Sequence, residues 1–176
     1  AKAAEIIRAV SRNHTRRCYA LKCDVRKFFD SIDHDVLLRI LGERIKDEKV
    51  MELMHEIVES FAASRPNLFE RRGVPIGNLT SQIFANVYMN EFDQFVKHDL
   101  KVKHYVRYTD DFVIFSEDPS YLENLLPPMQ GFLKSELHLE LHPKKIHLIK
   151  HTQGVDFLGY IVLPHHVQLR TKTKRR

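Results

Sequence analysis

Residues 104–115 read His-Tyr-Val-Arg-Tyr-Thr-Asp-Asp-Phe-Val-Ile-Phe, and this is the most informative stretch of the chain. Two short apolar runs, 104–107 and 112–115, enclose the adjacent carboxylates of Asp110 and Asp111. That layout predicts a β-hairpin whose tight turn carries both acids. Because aspartate is a favoured turn residue, an ordinary polar turn is the alternative interpretation.

A third acid, Asp24, lies near the end of a predicted strand over residues 18–24. An aspartate that leaves one strand can share divalent cations with an aspartate pair on a neighbouring hairpin. Two-metal phosphoryl transfer uses ions roughly 3.5–4 Å apart to clamp the attacking and leaving oxygens. Magnesium suits such a site because it binds a few carboxylates and otherwise keeps waters and substrate phosphates. We therefore predict that Asp24, Asp110 and Asp111 are catalytic metal ligands for Mg²⁺, with Mn²⁺ as a substitute.

Five motifs extend this pattern along most of the chain. They are Asp-Val-Arg-Lys-Phe-Phe-Asp (24–30), Gly-Val-Pro-Ile-Gly-Asn-Leu-Thr-Ser-Gln (73–82), Tyr-Thr-Asp-Asp (108–111), Pro-Lys-Lys (143–145) and Phe-Leu-Gly-Tyr (157–160). In sequence and order they resemble the palm motifs of reverse transcriptases. The third resembles the YxDD box of these polymerases, and the last resembles the primer-grip hairpin.

The second motif also resembles one branch of that family. Many reverse transcriptases place Gln where Ile76 stands and Pro where Gln82 stands. The form seen here is more similar to the bacterial diversity-generating retroelement enzymes. Group II intron-type, abortive-infection and CRISPR-associated reverse transcriptases remain open as alternatives.

The resemblance implies roles for further residues, each with a plainer alternative. The Val25 carbonyl would be an extra metal ligand, and Phe29 would lie beneath the incoming sugar and select deoxynucleotides, unless it is core packing. Nucleotide contacts would come from Ile76, Gly77, Gln82 and Lys145, although a helix cap, a turn residue or an exposed-strand lysine would explain some of them. The primer grip would consist of Phe157, Leu158, Gly159 and Tyr160, with hairpin packing as the alternative.

Composition bounds the class of protein. A chain of 176 residues with 43% hydrophobic residues suits one globular domain rather than a disordered segment. No apolar run approaches the ~20 residues of a transmembrane helix, and no signal-peptide pattern opens the chain. Cys18 and Cys23 would point to opposite faces of one strand, so we expect free thiols and a cytoplasmic location.

The charge distribution favours a polyanionic partner. The net charge is +5 and the pI is about 9.2. Arg8, Arg12 and Arg16 recur every four residues along a predicted helix over 2–13, so they would form a ridge on one helix face. Such a ridge suits a nucleic-acid backbone, although a solvated face is the alternative. A second basic cluster closes the chain at 170–176.

The remaining periodicity predicts an α+β fold. Helices are predicted over 33–45, 47–62, 80–97 and 119–137, the last with a kink at Pro127-Pro128, and strands over 138–142, 145–150, 155–163 and 166–170. A long loop over 63–79 connects two of the helices. We expect an antiparallel sheet with helices on one face, close to a split βαβ arrangement. The resemblance implies one domain over 1–176, the palm of a right-hand polymerase with partial fingers, with the full fingers upstream and the thumb downstream lying outside this chain.

The 11 histidines predict no zinc site. His138, His142, His147 and His151 have no accompanying cysteine cluster, and their spacing crosses a predicted turn. We interpret them as surface residues.

Together these features predict an RNA-directed DNA polymerase core. It would transfer a nucleotide from a dNTP to the 3′-hydroxyl of a DNA or RNA primer on an RNA template, and this synthesis would be error-prone. An accessory protein is a candidate partner, and a membrane is not. The rival hypothesis is a catalytically idle module that binds RNA or protein through its basic face. Without fingers and thumb, the isolated chain is expected to turn over poorly.

Overall fold

The computed structural model describes residues 2–13, 15–63, 71–163 and 166–170. The helices are α1 (Lys2–Val10), α2 (Phe28–Ser31), α3 (His34–Arg44), α4 (Glu48–Ala63), α5 (Leu79–Gln94), α6 (Pro119–Asn124) and α7 (Leu126–Glu136). The strands are β1 (Tyr19–Asp24), β2 (Tyr105–Tyr108), β3 (Asp111–Ser116), β4 (His147–Lys150), β5 (Val155–Phe157), β6 (Tyr160–Val162) and β7 (Val167–Leu169). The predicted mixture of helices and antiparallel sheet is confirmed.

The chain divides into two compact units. The first, which we call the sheet unit, draws on the described residues within 1–24, 100–128 and 142–176. The second, the helical unit, draws on the described residues within 25–99 and 129–141. Each is described by itself below.

The sheet unit is built on four antiparallel strands in the order β2-β3-β1-β4. β2 and β3 form the predicted hairpin, and β3 pairs along its whole length with β1. In this register Asp24 lies directly opposite Asp111, and Lys22 lies opposite Val113. Directly opposed residues point to the same face of a sheet, so one face carries Lys22, Asp24 and Asp111 together.

The same face holds the core of the sheet unit toward its other end. The apolar side of α1 packs there against the main sheet and against the small antiparallel sheet β5-β6-β7. Its fully or nearly buried members are Ala3, Ile7, Val10, Cys18, Ala20, Val113, Phe115, Val155, Phe157 and Val162. Burial of these side chains holds the strands in register, because a one-residue slip would move every side chain to the opposite face.

The helical unit packs α3 against α4 and α5. Asp33 caps α3, its Oδ1 accepting hydrogen bonds from the N–H groups of Asp35 and Val36. α5 buries Tyr88 completely, and the Tyr88 hydroxyl donates to the Leu137 carbonyl at 2.7 Å. The loop before α5 is tied down by backbone hydrogen bonds from Gly73 and Val74 to the carbonyls of Ile32 and Phe29.

Several predicted boundaries are wrong for physical reasons. α1 ends at Val10 and Arg12 has φ 45°, so Arg12 and Arg16 do not continue the helical ridge from Arg8. No strand forms over 138–142, where an isolated bridge joins Leu141 to Val25.

The helix predicted over 119–137 breaks at Leu125 rather than at the two prolines. Pro127 and Pro128 lie in the first turn of α7, where a missing backbone N–H costs no helical hydrogen bond. α5 continues through a π-helical turn at Phe95–Asp99. Part of the predicted loop, 64–70, and the basic residues 171–176 lie outside the described residues.

Candidate active site

The turn between β2 and β3 presents Asp110 at its tip. Only Thr109 and Asp110 separate the paired residues Tyr108 and Asp111. Thr109 has φ 52°, an uncommon conformation for a β-branched residue. The Arg107 guanidinium donates to the Thr109 carbonyl at 2.9 Å, and the Thr109 hydroxyl lies 2.8 Å from Asp110 Oδ1. These contacts hold the turn in an otherwise unfavourable shape.

Lys22 holds Asp111 from the same face of the sheet. Its ammonium lies 3.2 Å from Asp111 Oδ2 and donates to the main-chain carbonyl of Asp156 at 2.7 Å. The Lys22 side chain is 19% exposed and that of Asp111 23%. This one ammonium therefore joins the acid-bearing hairpin to strand β5.

The environment of Asp111 disfavours its ionised form. Burial raises the pKa of the Asp111 carboxyl, Lys22 offsets part of that effect, and the neighbouring Asp24 and Asp110 charges raise the pKa further. Asp111 Oδ1 is buried and has no hydrogen-bond partner among the described residues. A buried carboxylate oxygen of this kind is an acceptor without a hydrogen-bond donor, and buried polar atoms of a folded protein usually have a partner.

Asp24 is held by a second lysine. Lys145, in the 3-10 turn Pro143–Lys145, donates to both Asp24 carboxylate oxygens at 2.8 Å. The hydrogen bond to Asp24 raises the pKa of the Lys145 ammonium, and the charges of Asp110 and Asp111 add to that effect. Lys145 is thus not the exposed-strand lysine of the alternative interpretation.

The donor chemistry fits a hard divalent cation, although the carboxylates are not gathered around one. Within the described part of the chain, no group of three or more His, Cys, Asp or Glu side chains is arranged to hold a metal ion. The reason is visible in the contacts, since Lys145 and Lys22 occupy oxygens of Asp24 and Asp111. The unpartnered Oδ1 of Asp111 is the oxygen donor that such a cation prefers.

The remaining nucleotide-contact candidates belong to the helical unit. Phe28 is 2% exposed, Phe29 is half-buried, and their rings meet edge-on with centroids 5.3 Å apart. Ile76 is 79% exposed, so it does not pack beneath its loop. Gly77 has φ 104°, and Gln82 is exposed on the first turn of α5.

The motif 157–160 forms the tip of the β5–β6 hairpin. Phe157 pairs with Tyr160, leaving Leu158 and Gly159 as a two-residue turn with φ 54° and 79°. Positive φ at both positions is typical of a type I′ turn, which rarely contains leucine. Phe157 is buried, whereas Leu158 and Tyr160 are each 49% exposed. The sheet unit thus holds one residue of the motif in its core and presents two outward.

Two findings were not expected from the sequence. Lys22 was missed, although its position two residues before Asp24 places both side chains on one face of a strand. His151 was predicted to be a surface residue and is 3% exposed, with its ring Nδ1 hydrogen-bonded to the Cys18 carbonyl at 3.0 Å.

Both cysteines are buried and free, and burial raises the pKa of the Cys18 thiol to about 11 and that of Cys23 to about 12.

The arrangement of the sheet and its hairpin defines the class of fold. Telomerase from Candida albicans, solved with a TWJ fragment of telomeric RNA, superposes with a TM-score of 0.69 at 15% identity. That superposition covers 97% of this chain and 33% of the telomerase chain. The fold is that of the right-hand polymerases.

The sequence then decides the family. The model of the reverse transcriptase (RNA-dependent DNA polymerase) family matches residues 2–162, and the chain belongs to that family. The putative COX1/OXI3 intron 2 protein of Saccharomyces cerevisiae is 24% identical over 86% of this chain and 24% of its own length. The group II intron-encoded protein LtrA of Lactococcus lactis subsp. cremoris is 24% identical over 78% of this chain. The match covers 33% of LtrA, so the chain spans a quarter to a third of these two relatives.

Proposed function

We propose that this chain is the catalytic core of an RNA-directed DNA polymerase, which adds deoxynucleotides to a primer 3′-hydroxyl on an RNA template. The observation that carries the proposal is the register that sets Asp24 opposite Asp111, beside the Asp110 turn, in a chain of the reverse transcriptase family. Crowded carboxylates on a rigid sheet are costly to fold, and nucleotidyl transfer is a reason to keep them.

The acid set would hold two Mg²⁺ ions, or Mn²⁺ in their place, through Asp24, Asp110, Asp111 and the Val25 carbonyl. When bound, such ions polarise the phosphoryl group and make the attacking hydroxyl a better nucleophile. Asp24 and Asp111 orient these oxygens because both are fixed in β-pairing.

Lys145 would leave Asp24 for the leaving pyrophosphate, where a protonated ammonium neutralises charge and can donate a proton. Phe29 would bar a ribose 2′-hydroxyl, and the apolar tip of Leu158 and Tyr160 would support the primer end. Arg8, Arg12 and Arg16 would contact the nucleic-acid backbone separately rather than as a ridge.

We also propose the finer assignments of branch and setting. The motif around Ile76 and Gln82 supports a bacterial enzyme of the diversity-generating retroelement type. The chain would be one palm domain with partial fingers, working in the cytoplasm of the cell with an RNA template, a primer, dNTPs and an accessory protein. Among the described residues, no helix has the length and apolar character needed to cross a membrane.

Primer extension with the full-length protein tests the proposal. The wild-type protein should extend an annealed primer on RNA with dNTPs and Mg²⁺, and Asp110→Asn should not. Asp110 is the sharper variant because it lies in the turn rather than in the paired strands, so its loss leaves the sheet intact. Wild-type protein that binds RNA but never extends a primer would instead identify the idle binding module.

A further inference from the structure

A cavity of about 540 Å³ lies in the sheet unit at the end of β3 away from the acids. Its lining includes Ser116, the last residue of β3, whereas Asp111 is the first. Five strand residues at about 3.3 Å each separate the two positions by roughly 17 Å. The volume falls within the range of roughly 300–1,000 Å³ that is typical of ligand pockets. The cavity is therefore distinct from the candidate active site.

The charge of the lining is positive. Arg12, Lys101 and Lys103 all line the cavity, and none has a carboxylate within ion-pair distance among the described residues. Glu117 also lines it, but its carboxylate is bound by Arg16 at 3.3 Å. Within the described ranges, these three cationic side chains therefore have no ion-pairing carboxylate.

Two of these cations stand on unusual backbone. Arg12 has φ 45° and Lys101 has φ 53°, in the left-handed region that non-glycine residues rarely adopt. The Arg12 conformation is braced by the Thr15 hydroxyl, which donates to the Arg12 carbonyl at 2.7 Å. Strained backbone beside a cavity is a recurrent feature of ligand sites.

The other lining residues suit a base and a ribose. The ring of Tyr121 is 37% exposed at the cavity, beside the buried apolar side chains of Val102 and Phe115. The Ser116 hydroxyl accepts a hydrogen bond from the Asp118 N–H at 3.0 Å, which leaves its own proton for an acceptor such as a 2′-oxygen. Cations that meet phosphates beside an aromatic face are the general means of binding single strands.

We propose that this cavity binds a nucleotide of single-stranded RNA at a second site, remote from the carboxylates. The phosphates lie against Lys101, Lys103 and Arg12, and a base stacks on Tyr121. Such a site would hold an unpaired RNA segment that does not take part in the polymerase reaction.

Fluorescence anisotropy with a labelled oligouridylate tests this site, without divalent ions or dNTPs, so a catalytically dead protein is equally informative. Lys101→Asn and Lys103→Gln should each weaken binding several-fold and lower the salt slope by about 1. Asparagine is chosen for position 101 because it tolerates left-handed backbone. Lys134→Gln, on the exposed face of α7, is the matched control and should bind like wild type.

A second pair of variants tests stacking. Tyr121→Leu should weaken binding, whereas Tyr121→Phe keeps the ring and should retain it. Melting curves establish that each variant is folded. The inference is overturned if the lysine variants bind RNA like wild type, or if wild type does not bind the RNA. It is also overturned if Tyr121→Leu and Tyr121→Phe bind RNA equally well. Equal competition by oligodeoxyuridylate or by polyglutamate would also overturn it, because either result reduces the site to a general polyanion patch.

Discussion

At the scale of single residues, the two lysines beside the acids explain how the carboxylates are tolerated. Lys145 holds Asp24 at both oxygens, and Lys22 holds Asp111 at one. Like charges brought together without cations would otherwise force protons onto the acids. The lysines differ in one respect, because Lys145 is half-exposed and can leave, whereas Lys22 is mostly buried and also bonded to a backbone carbonyl.

The first prediction concerns Asp111, which is costly in the fold and is one of the proposed catalytic metal ligands. Because burial and the neighbouring charges raise the pKa of Asp111, its ionised form destabilises the protein at neutral pH. Asp111→Asn should therefore keep or raise the melting temperature at pH 7 while lowering primer extension by at least about a hundredfold. Scanning calorimetry and an extension assay measure both. A variant that melts well below wild type, or that still extends primers normally, contradicts the prediction.

The second prediction makes Lys22 a positioning residue. Lys22→Met keeps the aliphatic length but removes the ammonium that joins Asp111 to the Asp156 carbonyl. We expect kcat for primer extension to fall about tenfold or more with little change in the KM for dNTP, because Asp111 is misplaced rather than the nucleotide site. Lys22→Arg should recover part of the loss by restoring a cation. Lys134→Met is the control for the same change at an exposed site, and an equal effect there would refute the role.

The third prediction concerns fidelity and Ile76. At 79% exposure this side chain is free of the packing that would make a substitution destabilising. An apolar side chain cannot penalise a mismatched base by leaving a hydrogen bond unmade. Ile76→Gln in the full-length protein should lower misincorporation opposite template adenine more than opposite other bases. Leaving one hydrogen-bond partner unsatisfied costs about 1–3 kcal/mol, which sets the expected gain in discrimination against a mismatched base. Sequencing of cDNA gives the error spectrum, and an unchanged spectrum from a variant with wild-type stability would end the argument.

At the scale of the elements, short turns and caps carry much of the specificity. The β5–β6 hairpin is entered through Gly154, which has φ 85°. A Cβ at this position would lie 2.7 Å from Ile161 Cγ2 and 3.3 Å from Leu163 Cδ2. Left-handed backbone and close packing therefore both require glycine here.

The fourth prediction follows from that geometry. Gly154→Ala should lower the free energy of unfolding by about 1–3 kcal/mol, through backbone strain and overpacking. Gly131→Ala is the matched control, because Gly131 lies within α7 and a Cβ there would meet nothing within 4 Å. That control should be neutral or stabilise the protein by up to about 1 kcal/mol. Urea unfolding of both variants measures the difference, and equal values would contradict the strain argument.

The fifth prediction concerns the cap of α3. Asp33 is 9% exposed; burial raises the pKa of its carboxyl, but the hydrogen bond from His138 and those from Val36 and Asp35 outweigh that effect and hold the pKa below 3.8. His138 Nδ1 lies 3.0 Å from Asp33 Oδ2, and Arg72 Nε lies 3.6 Å from it. A depressed pKa means that the ionised carboxylate stabilises the fold at pH values above its unfolded pKa.

Asp33→Asn should therefore destabilise the protein by roughly 1–2 kcal/mol at neutral pH, because asparagine still caps the helix but loses the charge. The difference in melting temperature from wild type should persist down to about pH 4 and shrink as the pH falls below 3.8. Asp35→Asn is the control, since its ion pair with Arg71 is exposed and worth little. A difference that stays constant into acid would show that the charge is not responsible.

At the scale of the whole molecule, much of the architecture follows from local pattern. The hairpin around Thr109-Asp110, strand β1 and helices α3, α4 and α5 were predicted within a few residues of their observed bounds. Each has strong periodicity and a clear boundary signal, such as Asp33 before α3. The elements that were predicted wrongly are those in which tertiary contacts outweighed the local sequence pattern. An example is the strand predicted over 138–142, where only Leu141 forms a bridge.

Residue types and their spacing along the chain are enough to place the protein in its family and to set the order of the motifs, and they predict the three acids as candidate catalytic residues. Three further facts come from the three-dimensional structure: Asp24 lies opposite Asp111, Lys145 and Lys22 hold these two acids, and His151 is buried. These are contacts between residues far apart in the chain, and they depend on the pairing of β1 with β3 and β4. Pairing of that kind is set by which side chains the assembled core can bury, and no local window of sequence contains that information.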